Sequence, residues 1–262
     1  MQIDLLYLLL GIFAGVAAGL LGIGGGLIIV PVLVFIFQQQ QFASEVIVHL
    51  AVGTSLATIV LTSISSVRSH HQHGAVLWPV FVRMAPAIVL GALLGSVVAD
   101  WMPTRVLKWV FAFFELTVAT QMMLAYRPNP QRKLPNWPGL SLAGSLIGAV
   151  SAIVGIGGGT MTVPFLVWCN VAMRKAVATA AACGLPIALA GATGFIINGW
   201  NEPGLPAWSS GYVYWPAFIG IVATSVLFAP LGARLAHRLP AARLKRIFAL
   251  LLYVLGIRML LG

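Results

Sequence analysis

Long apolar runs recur along the whole chain, and they constrain its fold more than any other feature. Several reach about 18 residues or more, the length at which a helix crosses the hydrocarbon core of a bilayer. The 262-residue chain is 60% hydrophobic and only 8% charged, whereas a soluble domain keeps roughly a quarter of its residues charged. The sequence therefore predicts an all-α polytopic membrane protein and excludes a soluble enzyme.

The formal net charge of +10 would indicate a nucleic-acid partner in a soluble protein. In a membrane protein, Lys and Arg instead mark the cytoplasmic loops. We therefore expect a lipid bilayer around the chain and no nucleic acid. Cys169 and Cys183 lack a CxxC or metal-ligand spacing and are interpreted as buried small residues. No metal or other cofactor is predicted.

The chain contains an internal repeat. Residues 11–35 align without gaps on residues 144–168, and eleven of the 25 aligned positions are identical. The identities include the motif GIGGG, at 22–26 in the first copy and at 155–159 in the second. We therefore divide the chain into three parts: an N-terminal repeat (1–126), a Pro-rich basic connector (127–137) and a C-terminal repeat (138–262).

Each half contains five apolar segments. In the first half they cover residues of about 5–21, 27–37, 46–67, 76–99 and 106–125. In the second half they cover about 139–154, 160–169, 176–197, 212–236 and 244–261. Residues 1–4 contain no Lys or Arg, so we expect the first segment to be retained rather than cleaved as a signal peptide.

The distribution of Lys and Arg predicts how the segments cross the bilayer. If the short second segment of each half returns the chain to the side it came from, 11 of the 15 basic residues fall on one side. Arg105, Lys108 and Arg258 fall on the other side, and Arg83 lies inside a segment. This arrangement predicts two inverted-topology repeats in the inner (plasma) membrane, with both termini on the non-cytoplasmic side.

The second segments, 27–37 and 160–169, are too short to span the membrane. As helices they would reach only about 15–17 Å, roughly half of the hydrocarbon core. They are therefore predicted to be half-helices whose preceding GIGGG turns lie near mid-membrane. The first N–H groups of such helices are free to bind an anion, and paired broken helices indicate a transport site.

These considerations predict a small anion as the substrate. The candidate binding residues are Gly24, Gly25, Gly26, Leu27, Thr54, Ser55, Gly157, Gly158, Gly159, Thr160 and Thr179. Glycines also allow helices to pack closely, and hydroxyls in membrane helices often bond to carbonyls of the preceding turn. Both alternatives stay open for these residues. The turns are neither dinucleotide-binding fingerprints nor phosphate loops, since neither motif's spacing is present.

At the family level the chain resembles the sulfite exporter TauE/SafE family of membrane transporters. The resemblance covers nearly the whole chain and is carried by GIGGG-x4-P at 22–31 and 155–164 and by residues 49–55, 176–180, 184–191 and 198–200. It implies transport of sulfur-containing oxyanions such as sulfite, thiosulfate or organosulfonates. Thr179 is followed by Ala180 where the first half has Thr54-Ser55, so one candidate hydroxyl is absent from the second half.

Glu115 is the only acid well inside an apolar segment. An ionisable group at that depth is costly and is treated as functional by default. It could exchange protons during transport, or it could form a static ion pair with Arg83. Arg83 could also attract the anion or extend outward to the interface. His70, His71 and His73 are interpreted as a solvated loop rather than a metal site.

The leading hypothesis is a secondary transporter that exports the anion and is coupled to the proton gradient. A passive anion channel is the main alternative, and a non-transporting membrane assembly subunit is a weaker one. Enzymatic activity is not predicted, because the segments contain no HExxH motif, clustered acids or haem-spaced histidines. The oligomeric state is left open, with a homodimer among the alternatives.

Overall fold

The computed structural model describes residues 2–21, 25–124, 132–236 and 241–261. Ten α-helices occur in this part of the chain: α1 (Gln2–Leu21), α2 (Gly26–Gln39), α3 (Ile47–Gln72), α4 (Trp78–Trp101), α5 (Thr104–Met123), α6 (Trp137–Val154), α7 (Gly159–Trp168), α8 (Met173–Asn198), α9 (Trp215–Ala236) and α10 (Ala241–Leu261). The predicted all-α architecture is confirmed, apart from a small hairpin of β1 (Ser209–Ser210) and β2 (Val213–Tyr214).

Five of the described helices are long and apolar enough to cross a membrane, namely α3, α4, α5, α6 and α8. Large apolar side chains point away from the core on several helices. Leu90, Phe113 and Leu227 are 63–75% exposed. Exposed apolar surface of this extent is unfavourable in water and is expected where a helix faces lipid tails. The helices therefore form a bundle with a lipid-facing exterior.

The structure extends α3 beyond the predicted segment, as far as Gln72. Nothing in the polar sequence before Gly74 breaks a helix, and Gly74 adopts a left-handed conformation with φ +60°, which terminates helices readily. The interpretation of the histidine tract as a loop is therefore wrong for His70 and His71, which lie in the last turn of α3.

The first helical hairpin begins and ends at one end of the molecule. The side-chain amide of Gln40, which follows α2, donates a hydrogen bond to the hydroxyl of Tyr7 near the start of α1, at 2.6 Å. The α4–α5 turn lies at the same end, because the hydroxyl of Thr104 donates a hydrogen bond to the carbonyl oxygen of Glu45. We call this the Tyr7 end, defined by Tyr7, Gln40, Glu45 and Thr104.

The second helical hairpin begins and ends at the opposite end. The N–H of Arg132, just before α6, donates a hydrogen bond to the carbonyl oxygen of Trp168 at the end of α7, at 3.3 Å. Helix α3 starts at the Tyr7 end and runs about 35 Å from Ile47 to His70. The N–H of Leu77, just after α3, donates a hydrogen bond to Thr179 near the start of α8, the helix that follows α7. We call this the His70 end, defined by His70, Leu77, Arg132 and Trp168.

Helices from the two halves pack extensively against each other. The first helix of each half contacts the fourth helix of the other: α1 packs on α9, and α6 packs on α4. Glycines allow the close approach, since a Cβ at Gly15 would lie 2.6 Å from the carbonyl oxygen of Ser225. A Cβ at Gly148 would lie 3.1 Å from the backbone N of Ala92. The helix-packing interpretation therefore holds for these glycines.

Candidate functional site

Both glycine turns lie inside the protein, as far as the structure describes them. Gly25, Gly26 and the whole second turn, 155–159, are buried, whereas the predicted site residue Gly24 lies outside the described residues. The two turns are in contact, because a Cβ at Gly26 would lie 3.0 Å from the Cα of Ile156. The structure therefore brings the two GIGGG motifs together in the interior of the bundle.

The first of the two helices that follow the turns is longer than predicted, and the second has the predicted length. Helix α2 has 14 residues and α7 has 10, equivalent to about 21 Å and 15 Å. The predicted length of 11 residues for α2 is wrong, because the helix starts at Gly26 and ends at Gln39. Both helices remain shorter than the about 30 Å of a hydrocarbon core.

The N-termini of α2 and α7 have no side-chain cap. Gly25 and Gly158 occupy the N-cap positions, and neither helix receives a hydrogen bond from a capping side chain. The first N–H groups of a helix need partners from outside the helix, and they lie at the positive end of its dipole. Leu27 and Thr160 belong to these first turns. Both helix starts therefore have the polarity that favours an anion.

Three buried hydroxyls flank the second glycine turn without a hydrogen-bond partner among the described residues. They belong to Ser151 in the last turn of α6 and to Thr160 and Thr162 in the first turn of α7. Ser151 and Thr162 are 0% exposed. Buried hydroxyls are normally paired with protein groups or ordered water, so these three are candidates for contact with a polar ligand or a water molecule.

Sequence analysis predicted Thr160 but missed Ser151 and Thr162. The available signal was the presence of three hydroxyl residues within four positions of the second motif. The aligned residues of the first half are Ala18, Leu27 and Ile29, none of which has a hydroxyl. The polar groups are therefore concentrated on the second turn, and the site is asymmetric although the helices around it repeat.

Ser55 lies at the second turn as well. Its hydroxyl donates a hydrogen bond to the carbonyl oxygen of Gly155 at 2.9 Å. Gly155 has a left-handed conformation with φ +74°, and a Cβ there would lie 3.1 Å from the Cα of Val52 on α3. Ser55 thus holds the turn of the second half against a helix of the first half.

Thr54 and Thr179 have equivalent partners in the two halves. The hydroxyl oxygen of Thr54 accepts a hydrogen bond from the backbone N–H of Tyr214 at 3.0 Å. The hydroxyl oxygen of Thr179 accepts one from the N–H of Leu77, also at 3.0 Å. Each donor precedes a Trp-Pro pair that starts a helix of the other half, α9 or α4. Both predicted site residues therefore join the halves.

Other hydroxyls of α3 bond within their own helix. Thr58 donates to the carbonyl oxygen of Ser55 at 2.7 Å, and Thr62 donates to that of Ile59 at 3.1 Å. This is the backbone-bonding alternative expected from the sequence. These two side chains already have local partners.

Glu115 is buried, whereas Arg83 is exposed to the surroundings of the bundle. Glu115 is 0% exposed on α5, and neither carboxyl oxygen has a hydrogen-bond partner among the described residues. A Cβ at Gly256 of α10 would lie 3.5 Å from the Oε2 atom. Arg83 is exposed on α4. The structure therefore does not place Arg83 as a partner of Glu115.

A polar cluster that includes His49 lies at the Tyr7 end. The Nε2 atom of His49 lies 3.0 Å and 3.1 Å from the carbonyl oxygens of Ala99 and Met102. Two carbonyl acceptors require that Nε2 carries the proton. The His49 ring also stacks on Tyr212, with centroids 5.1 Å apart. His49 therefore holds the end of α4 against the β1–β2 hairpin.

Tyr212 continues this cluster. Its hydroxyl donates a hydrogen bond to a carboxyl oxygen of Asp100 at 2.9 Å. Burial, and then the Asp100 carboxylate, raise the pKa of the Tyr212 hydroxyl, so it stays protonated as a donor. His49, Asp100 and Tyr212 line a cavity of about 840 Å³. None of the described residues of the glycine turns, 25–26 and 155–159, lines this cavity.

Metal binding is not indicated in the part of the chain that the structure describes. No group of three or more His, Cys, Asp or Glu side chains there is arranged to hold a metal ion. His70 and His71 lie on a helix end, and the ring of His71 packs edge-on against Trp78.

Comparison with known proteins relates the chain to a family of membrane transporters. The sulfite exporter TauE/SafE family matches residues 7–259. A probable membrane transporter protein of Haemophilus influenzae is 38% identical, with 98% of both chains covered. One from Methanocaldococcus jannaschii is 27% identical, covering 98% of this chain and 95% of its own. One from Bacillus subtilis, named YunE, is 24% identical, covering 96% and 95%.

No solved structure matches the chain significantly. The family match nevertheless includes both glycine turns and all five long apolar helices. The relatives are named as transporters and are matched over nearly their full length. The chain is therefore a multi-pass membrane protein that belongs to the sulfite exporter TauE/SafE family.

Proposed function

We propose that this protein is a secondary transporter that exports a small sulfur-containing oxyanion, such as sulfite, thiosulfate or an organosulfonate. The observation that carries this proposal is the set of buried, unpartnered hydroxyls of Ser151, Thr160 and Thr162 beside the uncapped N-terminus of α7. Hydroxyl and N–H donors match the acceptor oxygens of an oxyanion. The sulfur chemistry follows from the family description.

The proposed mechanism uses two halves of inverted topology. The α1–α2 hairpin enters from the Tyr7 end, and the α6–α7 hairpin enters from the His70 end. Their glycine turns meet in the interior. Movement of one half against the other around this meeting point would expose the anion alternately to each side, as in other transporters built from inverted repeats.

The orientation in the membrane follows the positive-inside rule. Arg68, Arg174 and Lys175 belong to the His70 end, which we assign to the cytoplasm. The Tyr7 end, with the start of α1 and the end of α10, is then outside. We place the protein in the inner (plasma) membrane on this basis.

Proton coupling is the proposed source of energy, with Glu115 as the proton-binding residue. The carboxyl group lies eleven residues after Thr104, about 16 Å into the bundle along α5. A carboxylate without partners at that depth is costly, so a neutral, protonated form is favoured whenever a proton can reach it. Binding and release of this proton would therefore accompany a conformational change that alters access to Glu115.

A carrier is favoured over a passive channel because the described residues of both turns are buried, which is expected of a site closed to both sides. The experiment is counterflow in proteoliposomes, with labelled thiosulfate outside and unlabelled thiosulfate inside. A carrier accumulates the label transiently, whereas a channel passes current instead. We expect transient accumulation by the native protein.

The site itself is tested with the variants Ser151→Ala and Thr162→Val, which remove a hydroxyl with little change of volume. A hydrogen bond to a charged ligand contributes about 1.5–3 kcal/mol. Each variant should therefore raise the thiosulfate concentration that gives half-maximal transport by at least about tenfold. Thr117→Val is the matched control, because Thr117 is exposed and its hydroxyl bonds to the carbonyl oxygen of Phe113 in its own helix. Native half-saturation in both site variants would refute the proposed site.

Leucine at the turns would be a poorer test. A Cβ at Gly158 would lie 2.7 Å from the carbonyl oxygen of Ala180 and 3.0 Å from the backbone N of Gly184. A large side chain there would displace α8 as well as block a ligand. Loss of transport in such a variant would not distinguish the two effects.

A further inference from the structure

Three basic residues lie at the Tyr7 end, away from the other cationic loops. They are Arg105, Lys108 and Arg258, the three residues that depart from the positive-inside pattern. The structure brings all three to the walls of two neighbouring cavities. Lys and Arg are normally enriched on the cytoplasmic side of a membrane protein, and these three lie on the side that we assign to the outside. The positive-inside rule therefore does not explain why they lie together on cavity walls.

The smaller cavity has a volume of about 240 Å³ and lies between α2, α5 and α10. Lys108 of α5 and Arg258 of α10 are the charged residues of its wall, and none of its described lining residues is acidic. Gln38 and Gln39 add side-chain amides at the end of α2. The wall thus combines two cations with amide groups, which suits an oxyanion.

Arg258 is held in place by an aromatic contact. Its guanidinium carbon lies 3.9 Å from the centroid of the Phe35 ring on α2. A cation over an aromatic face is attracted by the ring while its N–H groups stay available at the edge. The contact fixes the charged group against α2, the half-helix that starts at the first glycine turn.

The larger cavity, of about 840 Å³, adjoins the smaller one at the Tyr7 end. The two cavities share Val34, Gln38 and Lys108 as wall residues. Three acids, Glu45, Asp100 and Glu202, lie only on the wall of the larger cavity. The larger cavity thus has acids as well as Arg105 and Lys108 on its wall, whereas the charged wall residues of the smaller cavity are both cations. An anion is therefore favoured in the smaller cavity over the larger one.

We propose that Lys108 and Arg258 form a second oxyanion site, at which the transported anion rests between the central turn and the outer solution. This inference rests on the proposed function, because it takes the same oxyanion as ligand. Helix α2 links the two sites, with its first residue at the glycine turn and its last, Gln39, at the outer cavity.

The test is equilibrium binding of labelled thiosulfate to purified protein in nanodiscs of phosphatidylcholine. We expect two bound anions for the native protein. Lys108→Gln combined with Arg258→Gln should lose one of them, and Ser151→Ala combined with Thr162→Val should lose the other. Arg174→Gln combined with Lys175→Gln is the matched control, because it removes two exposed cations at the His70 end, and it should keep both anions.

The conservative variant Lys108→Arg with Arg258→Lys should keep the outer anion with binding weakened by less than about tenfold, since both charges remain. Two bound anions in the Lys108→Gln/Arg258→Gln variant would overturn the second site and leave the central site intact. If the native protein binds one anion, and this anion is lost in Ser151→Ala/Thr162→Val, the second site is likewise overturned and the central site stands. No bound anion at all would overturn the proposed function together with this inference.

A phosphate group of an anionic lipid has the same chemistry as the proposed ligand. The binding measurement is therefore repeated in nanodiscs containing phosphatidylglycerol. We expect the anion that depends on Lys108 and Arg258 to stay bound. Its loss in these nanodiscs would assign the site to a lipid phosphate and overturn its role in transport.

Discussion

The hydroxyl oxygen of Thr54 accepts a hydrogen bond from the backbone N–H of Tyr214 at 3.0 Å, although 160 residues separate them along the chain. Thr179 makes the equivalent bond to Leu77 in the opposite direction between the halves. Two matched bonds thus tie the third helix of each half to the start of the fourth helix of the other. They fix the relative position of the halves around the buried turns.

These bonds predict a loss of stability in Thr54→Val and Thr179→Val. Each change leaves a partly buried backbone N–H without its acceptor, which costs about 1 kcal/mol. We expect a lower unfolding temperature for each variant in detergent, and a larger decrease for the double variant. Thr117→Val should show almost none. An unchanged unfolding temperature in both single variants would mean that the bonds do not hold the halves together.

Thr162→Val should behave in the opposite way. Its hydroxyl is buried without a partner among the described residues, so its replacement by a methyl group removes a desolvated polar group. We expect an unfolding temperature equal to or above that of the native protein in the absence of anion, together with weaker transport. A lower unfolding temperature would indicate that the hydroxyl has a structural partner.

Stabilisation by ligand provides the control for this prediction. Thiosulfate should raise the unfolding temperature of the native protein, because it binds the folded state. The same concentration should raise that of Thr162→Val less. An equal rise in both proteins would mean that thiosulfate stabilises the protein by binding somewhere other than the central site.

Gly155→Ala should destabilise the protein more than Gly74→Ala. Both glycines have φ values in the left-handed region, +74° and +60°, so both variants carry backbone strain of about 1 kcal/mol. A Cβ at Gly155 would in addition lie 3.0 Å from a Val30 methyl group, whereas one at Gly74 meets nothing within 4 Å. The difference in unfolding temperature between the two variants measures how tightly the turn is packed. Equal unfolding temperatures would contradict the close contact with α2 and α3.

Glu115→Gln should abolish transport driven by a pH gradient but keep the exchange of anion across the membrane. The amide has nearly the shape of the protonated acid and cannot release a proton. We expect counterflow of thiosulfate to persist and accumulation driven by a pH gradient to disappear. Thr117→Val, at an exposed position of the same helix, is the control and should keep both activities. Accumulation driven by pH in Glu115→Gln would assign the proton to another group.

Sequence was sufficient for the membrane class, the repeat and the helices. Apolar runs of spanning length require helices, because a backbone in lipid must satisfy its own hydrogen bonds. The end of α6 and the start of α7 also follow from local chemistry, since only glycine adopts the conformation of Gly155 without strain. The presence of GIGGG in both halves indicated that the turns belong together.

The partners of individual side chains depended on the tertiary structure. Thr54 and Thr179 look like ligands along the sequence, yet each is paired with a backbone N–H of the other half. Ser151 and Thr162 look ordinary along the sequence, yet they lie unpaired beside a helix start. Sequence periodicity specifies which residues are buried, whereas a hydrogen bond depends on which distant atoms the packing brings within about 3 Å.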